Sequence, residues 1–158
     1  MSTSYYAYAI AGVRGGIKVH GEKRDIQNTD INKQPLFLAD GRPATYKGWC
    51  SCVEFNGILF AEDAPTYFEL TEWHGRPVVQ DRLDDYLEER GLVVVESGCE
   101  GHHGESVVGV ELAEDYGING KTLSIEQIQD GLAKAKPLLE AVGLHEDPQL
   151  WIICHISY

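Results

Sequence analysis

Residues 97–106 read SGCEGHHGES, which places one thiol, two adjacent imidazoles, two carboxylates and three glycines within ten residues. Cys99 and His102 have the C-x-x-H spacing that closes on a single ion. Thiolate and imidazole together suit tetrahedral Zn²⁺. Cys50 and Cys52 lie two residues apart in a segment of strand character, and a side-chain period of two puts both on one face. The candidate zinc ligands are therefore Cys50, Cys52, Cys99 and His102, with His103 as a substitute. The two halves of this set are 47 residues apart and the usual C-x-x-C knuckle is absent. A second chemistry is nucleophilic: Cys99 attacks, His102 or His103 acts as its base, and Glu100 or Glu105 orients the imidazole. Catalytic triads usually draw their members from different segments, so the plain reading of 97–106 is an exposed hairpin loop between strands near 92–96 and 106–112.

The remaining reactive groups carry weaker signals. Cys154 shares its strand face with Ile152 and Ile156 and reads as core, while His155 falls with Trp151 and Ile153. Carboxylate pairs occur at Asp84/Asp85, Glu88/Glu89, Glu114/Asp115 and Glu146/Asp147, but general acid–base work requires them to converge in a cleft. GVRGG at 12–16 lacks both the Walker lysine and the G-x-G-x-x-G spacing, so no phosphate-cradling loop is present.

The elements that must position these groups follow from pattern. YYAYAIAGV (5–13) is apolar on both alternating faces and suits an inner strand. Residues 21–34 are polar and read as a loop or a short helical turn. Asn56-Gly57 between WCSCVEF and ILFAE is a type I′ hairpin signal, and TYFELTEW (66–73) is a further strand. A helix is predicted over 77–90, with Pro77 at its first position, an apolar stripe of Val79, Leu83, Tyr86 and Leu87, and Gly91 as its cap. LVVVESG and ESVVGVELAE read as an antiparallel pair. A second helix is predicted over 125–142, capped by Ser124 with Gln127, with Ile125, Ile128, Leu132, Ala135, Leu139 and Val142 on one face and Pro137 expected to kink or split it. QLWIICHISY (149–158) closes the chain as a strand. The fold class is α+β: a mainly antiparallel sheet with two helices on one face. Its strand–helix order fits a ferredoxin-like split βαβ unit with a β-rich insertion at about 14–75.

The 158 residues suit one domain over 1–158, with a core large enough to need no disulfide staples. The N-terminus lacks a basic n-region and an apolar h-region, and no apolar run approaches a membrane span. A cytoplasmic protein with reduced thiols is the expectation. The net charge of −12 is uneven: +2 over residues 1–61, −8 over 62–100 and −6 over 101–158. Such a field repels nucleic-acid phosphates and anionic membranes and attracts basic surfaces.

These observations point to a non-enzymatic binding or inhibitor protein. Asp81, Asp84, Asp85, Glu88 and Glu89 form a ridge of carboxylates that imitates a row of phosphates. That ridge suits a lysine- or arginine-lined partner surface, one that itself holds nucleic acid. Small acidic inhibitors encoded by phages and mobile elements act through this physics. No cofactor is required. The alternative is a small zinc- or thiol-dependent enzyme centred on Cys99, His102 and His103.

Overall fold

Continuous apolar sequence needs partners on both sides, and YYAYAIAGV receives them. The computed structural model describes residues 4–62, 70–99, 102–116 and 120–157. In chain order the elements are β1 (Ser4–Arg14), β2 (Lys18–Gln27), β3 (Thr45–Phe55), β4 (Ile58–Ala61), β5 (Glu72–Trp73), β6 (Arg76–Val79), α1 (Leu83–Glu88), β7 (Val93–Cys99), β8 (His102–Tyr116), α2 (Ile125–Ala141) and β9 (Gln149–Ser157). This is an α+β chain with mostly antiparallel pairing. It divides into two compact units, one made of Met1–Ile17 with Asp84–Tyr158 and the other of Lys18–Leu83.

In the first unit β1 pairs antiparallel with both β8 and β9. β7 pairs antiparallel with β8, so β8 lies between β1 and β7, as a split βαβ order requires. Parallel pairing of Gly98 with His155 and Cys99 with Ile156 joins β7 to β9 and closes the sheet into a barrel. Ile10, Val107 and Ile153 fill the interior, and Tyr8, Val93, Val95 and Trp151 pack against them. The Trp151 indole donates to the Gly12 carbonyl oxygen at 3.0 Å, which satisfies its one polar atom. Gly12 and Gly109 are ladder partners in tight approach, where a Cβ on either would lie 2.3 Å from a backbone oxygen of the facing strand.

Helix α2 starts where its sequence says it should. The Ser124 hydroxyl accepts from the Gln127 N–H and the Gln127 side chain accepts from the Ser124 N–H, a complete capping box. Gly131, Ala135 and Leu139 are its buried face. The helix lies closest to β8 and β1 and only marginally reaches β9. Gly131 permits the approach, since a Cβ there would lie 2.3 Å from Leu112 Cδ2. The helix continues through Pro137 to Ala141 and turns off at Gly143, whose φ is 85°. Lys136 then ties down the following loop, donating to the His145 carbonyl and pairing with Asp147 at 2.9 Å.

Several expectations need correction. The predicted 77–90 helix is shortened to Leu83–Glu88, because Arg76–Val79 is recruited as strand β6 between β4 and β5. Pro77 therefore sits in a strand, opposite Glu72. Ile152 is 66% exposed and Cys154 is exposed, whereas Ile153 is buried and Trp151 is half-buried. Strand β9 thus turns its odd-numbered residues inward, the reverse of the reading that placed Cys154, Ile152 and Ile156 in the core. Ile125, expected on the buried face of α2, is 75% exposed.

The second unit is a five-stranded sheet in the order β2-β3-β4-β6-β5. Asn56 and Gly57 have φ of 47° and 80° and form the two-residue β3–β4 turn, which makes Phe55 and Ile58 cross-strand partners. His74 and Gly75, with φ of 48° and 81°, make an equivalent turn between β5 and β6. Residues 21–27, expected in a loop, belong to β2, which pairs with β3 along its full length. Of the predicted 66–73 strand, Glu72–Trp73 is observed and 66–69 lie outside the described residues. The core is Ile26, Cys50, Cys52, Leu59, Leu70, Trp73 and Val78. Among the described residues, no helix is long and apolar enough to cross a membrane.

Candidate functional site

Cys50 and Cys52 share a face, as their spacing predicts, and that face is the core of the 18–83 unit. Both thiols are buried, at 1% and 0% exposure, and burial pushes the Cys52 thiol above its ordinary range. Cys99 and His102 lie in the other unit. There the expected loop is replaced by strand, since β7 runs to Cys99 and β8 begins at His102. The ladder register sets Cys99 opposite His102 and Gly98 opposite His103. The turn itself, at 100–101, lies outside the described residues. Among the described residues, no group of three or more His, Cys, Asp or Glu is arranged to hold a metal.

The polar cluster around Trp73 was not predicted. His20, Glu22 and Arg24 alternate along β2, so they share one sheet face with their β3 partners Cys52, Cys50 and Gly48. The Arg24 guanidinium stacks 4.3 Å from the Trp73 ring centroid and pairs with Glu22 at 2.5 Å. His74 meets the other Glu22 oxygen at 2.9 Å. Glu54 is shared by Arg76 at 2.8 Å and His20 at 3.0 Å. Each carboxylate is thus held by one guanidinium and one imidazole, and the Arg24 guanidinium also covers the buried Trp73 ring. The signal in the sequence is the period-two run of His, Glu and Arg at 20, 22 and 24.

This cluster has a pH signature. Hydrogen bonding to Arg24, followed by His74, holds the Glu22 carboxyl below the usual range, and Arg76, followed by His20, does the same for Glu54. A carboxyl whose folded pKa is depressed stabilises fully above its unfolded value, about 4.3, and the contribution fades as pH falls through the folded value. The urea midpoint is therefore expected to drop as pH falls below about 4.3. Glu54→Gln should flatten that drop, and an unchanged slope would remove Glu54 from the account.

The negative charge is concentrated in one unit. Residues 1–17 and 84–158 hold 5 Lys+Arg against 15 Asp+Glu, a net of −10, while 18–83 hold 8 against 10, a net of −2. Asp84, Asp85, Glu88 and Glu89 are exposed, and Asp81 is exposed in the other unit. Buried Leu87 fixes the inward side of α1, which leaves these carboxylates to solvent. Within the cluster Glu89 lies 3.9 Å from Arg90, and the Asp84 carboxylate accepts from the Asp85 N–H at 3.1 Å.

The same unit carries an apolar groove of about 420 Å³ where α2 stops short of covering β9. Ala9, Ala113, Leu123, Ile128, Leu150 and Ile152 line it, with Tyr8, Asp115 and Lys121 at its margin. The Asp115 carboxylate accepts from the Gly120 N–H at 2.7 Å and so fixes the 120–123 segment beside the groove. Burial, then Glu114 and Glu111, raise the Tyr8 hydroxyl above its ordinary range, which keeps it neutral and donor-competent. No alternation rule in the sequence exposes this groove; beside it Ile125, an apolar residue at the start of the helix, is 75% exposed. In the other unit, Ile31, Phe37, Leu38 and Trp49 are exposed apolar side chains.

No protein-family model matches the chain, and no curated protein or solved structure matches it.

Proposed function

We propose that this protein is a non-enzymatic, cytoplasmic binding protein, acting as an inhibitor, that engages a basic surface of a partner protein. Asp81, Asp84, Asp85, Glu88 and Glu89 supply the contact. The observation that supports this most directly is the concentration of charge, with 15 carboxylates against 5 cations in the 1–17/84–158 unit. Such a field raises the encounter rate with a basic partner and repels nucleic acid itself. The exposed carboxylates of α1 are held on a short helix whose apolar side is buried, so they are presented with little loss of order on binding. The test is affinity capture from the native host, followed by association kinetics over a salt series. An association rate that falls steeply with salt supports the reading, and a salt-independent rate overturns it.

One observation favours the alternative, a zinc- or thiol-dependent centre at Cys99, His102 and His103: the register that sets Cys99 opposite His102. Metal analysis of the purified protein checks it. Near-stoichiometric zinc, lost on Cys99→Ser, supports the centre, and a folded metal-free protein whose thiol resists alkylation counts against it.

A further inference from the structure

We propose that the groove between the N-terminal half of α2 and β9 binds an amphipathic helical segment of the partner, with apolar residues facing the groove and Lys or Arg on its flanks. This inference rests on the reading of the protein as a binder of basic surfaces and names what the partner places here. Three features carry it. The groove has the size of a binding cleft, about 420 Å³, and its lining is mostly aliphatic, with Tyr8, Asp115 and Lys121 as its polar members. Its apolar surface is open to solvent in the described structure: Leu150 is 39% exposed and Ile152 66%, with Ile125 at 75% one turn before Ile128. The surrounding charge then selects among occupants.

An open aliphatic groove accepts a second copy of the chain, an acyl chain or anionic membrane surface, or a partner segment. A second copy brings together two bodies of net charge −12. An anionic lipid or fatty acid meets the same repulsion, against a single marginal cation, Lys121. Only a cationic amphipathic segment gains from both terms: burial of its apolar face and attraction of its flanks to the net −10 unit. Apolar residues at i, i+3 or i+4, and i+7 fit the helix-in-groove mode, in which one stripe supplies the anchors. Tyr8 and Asp115 place a hydroxyl and a carboxylate beside the groove for flanking lysine or arginine, the carboxylate also accepting from the Gly120 N–H.

The experiment uses the full chain and a synthetic 18-residue peptide of Leu and Lys, with the leucines at helical spacing. Controls are a peptide of the same composition with the leucines scattered and one with Glu in place of Lys. Affinity is read by fluorescence anisotropy at low and high salt. Leu150→Ser with Ile152→Ser changes no charge and alters exposed positions. Ala113→Phe fills the groove while keeping both residues. Thermal unfolding confirms that each variant is folded. Both variants are expected to weaken the patterned peptide by about tenfold or more at either salt. Wild-type affinity in both folded variants overturns the proposal, as does equal binding of the scattered peptide. A dimer in sedimentation that the same variants dissociate also overturns it, by assigning the groove to a second copy. Failure of the broader reading looks different: the groove variants lose the peptide, yet affinity ignores both salt and reversal of Asp84, Asp85 and Glu88.

Discussion

Gly109→Ala is expected to unfold the 1–17/84–158 unit or to lower its unfolding midpoint by on the order of 10 °C. The new Cβ would lie 2.3 Å from the Ala11 oxygen and 2.6 Å from Gly12 Cα. Both are backbone atoms, so no side chain can rotate aside. Relief requires β1 and β8 to move apart at the point where Gly12 and Gly109 are partners, and that breaks ladder hydrogen bonds next to the barrel interior. Overpacking usually costs about 1–3 kcal/mol, and a backbone clash belongs at or above the upper end of that range. Gly16→Ala is the control. Its φ is 60° but nothing lies within 4 Å, so only the positive-φ penalty of about 1–2 kcal/mol applies. Thermal unfolding followed by circular dichroism compares the two. Equal, small shifts in both variants would show that the strands tolerate separation at this point.

Reversal of Asp84, Asp85 and Glu88 to lysine is expected to slow association with the partner by about ten- to a hundredfold at low salt. The deficit should shrink as salt shortens the screening length from about 10 Å at 0.1 M to about 3 Å at 1 M. Dissociation should change less, because these groups are exposed. The fold should survive with a modest loss. Asp84 and Asp85 occupy the first turn of α1, where acidic residues each stabilise by roughly 0.3–1 kcal/mol. Reversal of the same three charges combined with Leu150→Ser and Ile152→Ser separates steering from anchoring, since the first should act on the association rate and the second on dissociation. An association rate equal to wild type at low salt would sink the electrostatic reading. The exposed apolar residues Ile31, Phe37 and Leu38 would then be the surface to probe.

The parts of the fold that were legible are those set by local chemistry. The Ser124/Gln127 capping box, the Asn56-Gly57 turn and the two-sided apolarity of β1 each act within a few residues, and each is present. The misread parts were decided by distant partners. Arg76–Val79 looked like a helix start because Pro77 suits one, but pairing with Leu59 and Phe60 on β4 and with β5 outweighs that local preference. In β9 both alternating faces are apolar, so the pattern has two solutions, and the barrel interior selected Ile153 over Ile152. The groove was illegible for a related reason. It arises where α2 lies over β8 and β1 and meets the last strand only at its margin, and no single segment encodes that offset.

The insertion of residues 18–83 into the other unit sets an order of assembly on the ribosome. Strand β1 is made well before its partners β8 and β9: Tyr6 pairs with Tyr116, and Ser4 with Ser157. Loop closures of more than 100 residues are slow, so contacts of this range form late. The β2–β3–β4 ladder is local and can form while the barrel strands are still absent. Until β9 emerges, β1 presents an apolar segment with unfilled hydrogen-bonding edges, the state in which such strands aggregate. The protein's yield in the cell should therefore depend on translation reaching strand β9. A stop codon before Gln149 should shift the chain from soluble to aggregated material, even though every carboxylate of the acidic ridge is already in place.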